Sequence, residues 1–463
     1  MSKGIDYFKG ISGQLRGLLE PRTVAIVGAS GKIDRVGGAI TRNALEGEYR
    51  GKIHLVNPNA NQIFGRKVYQ SIEEVPDDID LVEIVVRAPL VPMVMEQAVR
   101  KGVKGAIIIS SGFAEIGRKD LQDQVVRIAK EGGIRIIGPN CFGLINTEIG
   151  LDLSFTFSKP LKGSIAFVSQ SGAMCCGTLD WAQREEVGFS KFINLGNKCD
   201  VDEADVLAYL GEDRQTKVIA IYMEGINDGR KLFEIMKFVS RKIPVVVLKA
   251  AVTEPGVRAA ISHTGSMAGR IEIFRAALSQ AGAILVEDVE DLFDSAQSFS
   301  QPQSRGRNVA VISNAGGLAV MTADWCHRLG LSIPKLPSQI VEKLRSFLPR
   351  IASSINPVDM TGNADYECYK RVLETISETE TIDIIIPIFV SQGLVTSAGP
   401  ARAVVETQRI CDKPLLAYWM GGTSIVNGVR ILKRGGIPVY SSPERVARAT
   451  AALVKHSDFK RKL

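Results

Sequence analysis

The chain contains four histidines, and one of them, His263, stands in a setting unlike the others. It lies in EPGVRAAISHTGSMAGR, residues 254–270, between Ser262 and Thr264. This stretch is too rich in Gly, Ala and Ser to build a core. A neutral imidazole is nucleophilic near pH 7 without help, and it can carry a phosphoryl group or exchange protons. Gly265 and Gly269 would let such a loop swing, and small neighbours would let a phosphate come close. His54, His327 and His456 fall in ordinary strand or helix patterns. The plain alternative for His263 is a solvated position on a surface loop.

Glu224 is a second candidate, at the end of the apolar run VIAIYMEGI. A carboxylate there can accept the imidazole N–H, orient the ring and stabilise the charge of a phosphohistidine. Acids at strand ends also serve as helix caps, so the case for Glu224 depends on His263. Two further stretches suit an anion: Ser169-Gln170-Ser171-Gly172-Ala173 and Ser313-Asn314-Ala315-Gly316-Gly317. Each leads from an apolar strand through a small polar turn into a helix. Bare amides and the positive end of the helix dipole then meet the anion, and two such starts could hold one phosphoryl group from opposite sides. Either turn alone is a weak signal, because Ser and Asn cap helices generally.

These turns belong to an internal repeat. Residues 164–182, SIAFVSQSGAMCCGTLDWA, align without a gap on residues 308–326, NVAVISNAGGLAVMTADWC. Ala166, Ser169, Gly172, Asp180 and Trp181 recur as Ala310, Ser313, Gly316, Asp324 and Trp325. AGAILVEDVEDLFDSAQ near residue 290 likewise parallels GGIPVYSSPERVARAT near residue 445. Two copies of one parallel α/β unit explain the pattern. The polar stretch 298–307, SFSQPQSRGR, reads as a linker between them. The copies differ in one place: the stretch from Leu248 to Ile284 is longer than its counterpart from Tyr418 to Pro438, and the surplus holds the His263 segment. In the second copy the strand matching Glu224 ends in Ser391, with no acid.

Ahead of the repeat, an apolar strand at residues 23–27 runs straight into GASGKIDRVGGAITRNAL, a glycine turn and then a helix. This aims amides at a phosphate, with Gly28, Ser30, Lys32, Arg35, Val36 and Gly37 around the turn. The spacing is not G-x-G-x-x-G. The second strand, KIHLVNPN, ends in Asn57 and Pro58 where an NAD site has an acid for the ribose. Cations without a carboxylate suit a ligand with an extra phosphate, either coenzyme A or NADP. Continuous apolar runs at 79–89, 105–115 and 134–146 read as buried parallel strands. Beyond their carboxyl ends, Arg87, Ala88 and Pro89, then Ser110, Ser111, Gly112 and Phe113, then Asn140 and Cys141 within Gly138–Gly143, would ring one crevice.

The fold class expected is therefore α/β with three parallel-sheet domains: a Rossmann-like domain over 1–150, then two flavodoxin-like units over 151–300 and 301–463. A chain of 463 residues agrees, taking roughly 150 residues per domain. The net charge of +7 is spread along the chain, which suits a polyanionic small molecule and offers no clustered patch or aromatic platform for nucleic acid. Seven cysteines show no metal-ligand spacing; they fit a reducing cytosol, and no metal site is expected. With neither a signal peptide nor a long apolar run, the expectation is a cytoplasmic protein away from the membrane.

In order along the chain, VGAS, VNP, SSGFAE, GPNC-x-G, SQSGA, GNKCDVDEADVL, MEGI, SHTGSMAG, NAGG and NPVD resemble the alpha subunit of the nucleoside-diphosphate-forming acyl-CoA synthetases. That family is related to succinyl-CoA synthetase and includes the ADP-forming acetyl-CoA synthetases of archaea. The resemblance spans about residues 20–450. It implies that acyl-CoA, ADP and phosphate are interconverted with free acid, CoA and ATP, with acetate or another short acid as substrate. It further implies that His263 is phosphorylated with Glu224 in support, that the two turns hold phosphate, that residues 1–150 bind CoA, and that Asn356 and Asp359 lie near the acyl group. ADP or ATP with magnesium would bind a separate ATP-grasp beta subunit, in an α2β2 heterotetramer, since nothing like that domain follows residue 455. The other readings are a noncatalytic CoA-binding regulatory module and, further off, an NADP-dependent oxidoreductase.

Overall fold

The computed structural model describes residues 2–462, apart from 265–269 and 394. The chain forms two compact units, Met1–Leu285 and Val286–Leu463. Three sheets are built mostly from parallel strands, and central ones such as Thr23–Val27, Val245–Lys249 and Val309–Ser313 are apolar runs buried along their length.

The first sheet comprises β1 (Thr23–Val27), β2 (Lys52–Val56), β3 (Gln62–Ile63), β4 (Arg66–Tyr69), β5 (Leu81–Ile84), β6 (Gly105–Ile108) and β7 (Arg135–Ile137). Their order is β3-β4-β2-β1-β5-β6-β7, and the β3–β4 edge pair runs antiparallel. Apart from that edge strand, it is the doubly wound order whose crevice opens where β1 and β5 diverge. All residues of β1 and β5 are buried. Among them is Glu83, whose carboxyl is pushed well above its usual range by burial and then by Asp152.

The second sheet takes β8 (Gly143–Asn146), β9 (Leu151–Ser154), β10 (Leu161–Ser169), β11 (Gly188–Asn194), β12 (Val218–Met223), β13 (Val245–Lys249) and β14 (Ile284–Val286). Their order is β14-β13-β12-β10-β11-β8-β9. The apolar run 134–146, expected as one strand, is divided here: β7 stays in the first sheet, whereas β8 pairs antiparallel with β11 in the second. The division falls at GPNC, where Pro139 has no N–H to give a ladder and Gly138 and Asn140 have φ of 99° and 58°. The second sheet therefore begins before residue 150.

The third sheet, β15 (Val309–Ser313), β16 (Val358–Asp359), β17 (Ile384–Val390), β18 (Ala417–Met420) and β19 (Val439–Tyr440), has the order β16-β15-β17-β18-β19. Counted from β10 and from β15, the five parallel strands of each copy follow the same flavodoxin-like sequence of neighbours. The boundary between compact units lies earlier than the polar 298–307 stretch. Helix Val289–Ser298, the last of the first copy, packs in the second unit against its own counterpart, Pro443–Arg461. Asp294 accepts from Arg445 Nε and Nη2 at 2.6 and 2.8 Å, which joins the two helices.

Candidate functional site

Ser169 ends β10 and fixes the first turn. Its hydroxyl donates to the Ser171 carbonyl at 2.9 Å and accepts the Ser171 N–H at 3.1 Å. Ser171 then caps the helix Gly172–Glu185, its Oγ accepting the Met174 N–H. The first amides of a helix have no intrahelical acceptor, so those of Gly172 and Ala173 are left for an anion. The second copy repeats the wiring: Ser313 Oγ bonds both the N–H and the carbonyl of Ala315, each at 2.9 Å. Helix Gly316–Arg328 follows with no side-chain cap, which leaves Gly316 and Gly317 amides at its start.

Gln170 and Asn314 occupy the next position in each turn, and both turn their amides back on the sheet. Asn314 exchanges two hydrogen bonds with the Val390 backbone, each 2.9 Å. Gln170 Oε1 accepts the N–H groups of Glu224 and Gly225 at 2.8 and 2.9 Å, while Nε2 donates to the Gly225 carbonyl and to Glu203. Neither side chain is turned to a phosphate; their part is to tie the helix start to the end of the third strand of the copy. By register, Ser169 faces Tyr222 and Ser313 faces Ile388, so the counterpart of Glu224 is Val390 and not Ser391.

Glu224 follows β12 directly and is half-buried. Its carboxylate accepts from Tyr222, whose hydroxyl is pushed up to about 12, by burial first and then by the Glu224 charge and hydrogen bond. His263 sits near the end of helix Glu254–Thr264, where a loop had been expected. Thr253 starts that helix by accepting the Gly256 N–H at 3.3 Å. Glu254 and Arg258 pair one turn apart at 2.7 Å, and Pro255 suits a first turn. The His263 side chain and residues 265–269, where the swinging segment was expected, lie outside the described residues.

In the first sheet's crevice, Gly28 has φ of 92°, and a Cβ there would fall 2.4 Å from the Val85 carbonyl. A Cβ on Gly37 would meet the Gly28 carbonyl at 2.3 Å. Strand, turn and helix therefore close on one another as a phosphate cradle requires. Ser30 Oγ accepts the Lys32 N–H at 3.1 Å; Lys32 and Arg35 are exposed beside it, and Val36 opens the helix. Asn57 Nδ2 donates to the Ala29 carbonyl and its Oδ1 accepts the Asn59 N–H, with Pro58 exposed between.

Arg87, Pro89, Ser111 and Asn140 are exposed along the same strand ends, and Ser110 Oγ donates to the Val86 carbonyl. Three expected members point elsewhere. The side chains of Ala88 and Phe113 belong to the core of the first sheet, and that of Cys141 is buried with Sγ donating to the Ile108 carbonyl. Burial also drives the Cys141 thiol far above its usual pKa. These three offer the crevice backbone only. Asn356 is likewise occupied: its amide donates to the Val309 and Pro334 carbonyls and accepts the Val311 N–H. Asp359 stands by the second helix start, its Oδ2 within 2.6 Å of where a Gly316 Cβ would be.

Three family profiles cover the chain in order: a CoA binding domain over residues 22–147, a succinyl-CoA ligase like flavodoxin domain over 162–299, and a ligase-CoA domain over 309–456. The chain is 40% identical over 462 residues to the acetate–CoA ligase (ADP-forming) II subunit alpha of Pyrococcus furiosus, covering 98% of each. The chain belongs to the family of ADP-forming acetate–CoA ligases, as an alpha-type chain. It is 41% identical to the acetate–CoA ligase (ADP-forming) I of Archaeoglobus fulgidus, where 95% of this chain spans 63% of that longer protein. A solved structure of the acetyl-coenzyme A synthetase 1 of Ca. Korarchaeum cryptofilum, in complex with phosphate and ADP, is similar at a TM-score of 0.93. Its identity is 33%, with 97% of this chain and 98% of that one covered.

Within this ligase-family chain the structure adds residues that sequence reading passed over. Lys198 Nζ, in GNKCD, donates to Glu203 and to the Gly225 carbonyl at 2.9 and 2.8 Å. Lys249 Nζ, at the end of β13, donates to the Glu224 carbonyl at 2.8 Å and to that of Ala250. Burial and then Lys198 hold the Lys249 ammonium below its usual pKa, against the pull of Glu224. Glu115 in SSGFAE accepts the Gly112 and Phe113 amides and the Asn197 side chain. The signal available for the lysines was a cation inside or just after an apolar run.

Proposed function

We propose that this chain is the alpha-type subunit of an ADP-forming acyl-CoA synthetase acting on acetate or another short acid. CoA lies in the first sheet's crevice, around the Gly28–Gly37 turn. A phosphate oxygen attacks the thioester carbonyl; the carbon–sulfur bond breaks, CoA leaves as a thiolate and takes up a proton, and an acyl phosphate forms. The imidazole of His263 then attacks phosphorus, the phosphorus–oxygen bond breaks, and the carboxylate leaves. A terminal phosphate oxygen of ADP receives the phosphoryl group in turn and frees the imidazole.

Phosphoryl transfer asks mainly for alignment and for donors around the equatorial oxygens. The Gly172 and Ala173 amides supply donors. The observation that carries the reading is Gln170, which ties that helix start to the Glu224 turn at 2.8 Å, so one residue links an anion-binding end to an acid suited to orient an imidazole. The nucleotide, with magnesium, belongs on an ATP-grasp partner subunit, two of each chain forming the assembly in the cytoplasm.

The test is labelling with radioactive phosphate, from acyl-CoA plus phosphate or from ATP with the partner present. Label is expected on the wild-type chain and on His327→Ala, and absent from His263→Ala. Label that persists in His263→Ala would overturn the reading.

A further inference from the structure

Glu224 and Gly225 present four backbone polar groups, and side chains engage all four. Gln170 Oε1 takes both N–H groups. Lys249 Nζ holds the Glu224 carbonyl at 2.8 Å, and the Gly225 carbonyl accepts from Lys198 Nζ and from Gln170 Nε2, each at 2.8 Å. A turn after a strand ordinarily leaves these groups to water. Here the Lys198 and Lys249 residues are 7% and 8% exposed. Burying an ammonium is costly unless it is paired and hydrogen-bonded. Lys198 has Glu203 as its counter-charge; the two acceptors found for the Lys249 ammonium are carbonyls. A fold that only needed a strand end would not meet that cost.

The second copy shows what the same fold does without it. Met223 pairs in register with Lys249, as Phe389 pairs with Trp419. At the position of Lys249 stands Trp419, and at the position of Glu224 stands Val390, whose N–H and carbonyl a single Asn314 satisfies. The Lys249 cation therefore accompanies the acid.

We propose that Lys249 and Lys198, with Gln170, are positioning residues that clamp the Glu224–Gly225 turn and so fix the Glu224 carboxylate for its work on the imidazole; this rests on the synthetase reading above. Lys249 also holds the Ala250 carbonyl, on the segment that leads from β13 to the His263 helix. One ammonium thereby ties the acid's turn to the chain that carries the nucleophile. Rigid placement matters because a carboxylate a fraction of an ångström out of line loses much of its effect on a transferring group.

The experiment uses the assembled enzyme with its partner subunit, and reads both the rate of phosphohistidine formation and the KM for CoA. Lys249→Met is expected to slow phosphorylation by about 10–100-fold, as loss of an oriented acid would, with KM for CoA changed by less than about twofold. In a Glu224→Gln background the same substitution should add less than about twofold, since residues acting through one group are not additive. Lys249→Arg, which keeps charge and donors, should recover part of the loss. An unchanged rate in Lys249→Met, or full multiplication of the two effects, overturns the clamp. Unaltered KM for CoA certifies folding; should Lys249→Met not fold, Lys198→Met is judged by the same readouts.

Amide hydrogen exchange at Glu224 and Gly225 separates this inference from the synthetase reading. The clamp requires that exchange there rise about tenfold or more in Lys249→Met, as local opening becomes cheaper. Equal exchange overturns the clamp whatever the chemistry. Wild-type enzyme that takes no label, with exchange still raised in the variant, overturns the synthetase reading and the catalytic purpose, and leaves the clamp established as a structural fact.

Discussion

Asn194 and Asp359 hold the same place in the two repeated sheets, Asn194 in register with Ser169 and Asp359 with Ser313. Asn194 donates to the Ser169 carbonyl at 2.8 Å and accepts the Phe142 N–H at 2.6 Å, which fastens the turn to the GPNC segment. An aspartate cannot donate in its ionised form. Asp359 instead accepts the Thr361 N–H at 3.0 Å and lies against the start of the second helix.

That difference predicts opposite outcomes for one substitution at equivalent sites. A Cβ at Gly172 finds its nearest neighbour, Asn194 Oδ1, at 3.7 Å, whereas a Cβ at Gly316 falls 2.6 Å from the Asp359 carboxylate. Gly172→Ala should be neutral or stabilising by about 0.4–1 kcal/mol through the unfolded chain. Gly316→Ala should cost about 1–3 kcal/mol from overpacking. Denaturant titrations of both variants check it, and equal midpoints would contradict the assigned geometry.

The glycine turn of the first sheet makes a comparable contrast. A Cβ on Gly38 would sit 1.8 Å from the Lys32 carbonyl, but one on Gly31 meets only an Ile63 methyl at 3.9 Å. Gly38→Ala must therefore move the turn on which Lys32 and Arg35 stand. Its affinity for CoA should fall by about tenfold or more, as misplaced polar contacts usually cost 1–3 kcal/mol. Gly31→Ala should bind within about twofold of wild type, since such open surface changes are nearly neutral. Calorimetric titration with CoA distinguishes them.

The two-copy architecture was legible because strict identity at Ser169 and Ser313, Gly172 and Gly316 reflects one turn built twice. So was the crevice of the first sheet, from strand runs ending in small residues. The sequence did not reveal which way those ends face: Phe113 and Cys141 sit in loops among small residues, beyond the strands where alternation would tell inside from outside, and both side chains are buried in the core. The His263 segment reads as a loop by composition, but one capping hydroxyl on Thr253 and the Pro255 first turn are enough to start a helix. Lys198 and Lys249 escaped notice for a different reason. Their meaning depends on which strands are neighbours, and β12 meets β13 only after a helical crossover.

Within the first unit, Arg135 on β7 binds Asp200 at 2.9 Å and Asp205 at 3.1 Å, and Asp205 is 3% exposed at its side chain. Burial works against the Arg135 charge, but Asp200 and then Asp205 raise its pKa overall. Arg135 is part-buried, and removing it leaves the buried Asp205 carboxylate less well compensated, so Arg135→Met should cost about 1–3 kcal/mol. Lys231, 2.7 Å from Asp205, limits the damage. The loss should persist in 0.5 M salt, since buried pairs are screened little. A deficit that vanishes with salt would place this pair among ordinary surface ion pairs.

Burial of His456 makes that residue's own contribution to the second unit's stability pH-dependent. The residue is 3% exposed, lies edge-on to Phe299, and finds no hydrogen-bond partner for either ring nitrogen among the described residues. Burial first, and then Lys460, lower its pKa to about 4. The ring stays neutral in the folded protein while the unfolded chain takes up a proton as pH falls through 6.5. Its contribution is thus fully present above pH 6.5 and lost progressively toward pH 4, about 3 kcal/mol in all. Asp294, raised to about 6 by burial in spite of Arg445, opposes this, because the folded state binds its proton more readily over much of the same range. The net profile therefore mixes two signs, and the informative quantity is a difference. The stability of wild type minus that of His456→Leu, measured by denaturant titration at each pH, should fall steadily from pH 7 to pH 4.5. A flat difference would mean that the imidazole is solvated or paired in the folded chain.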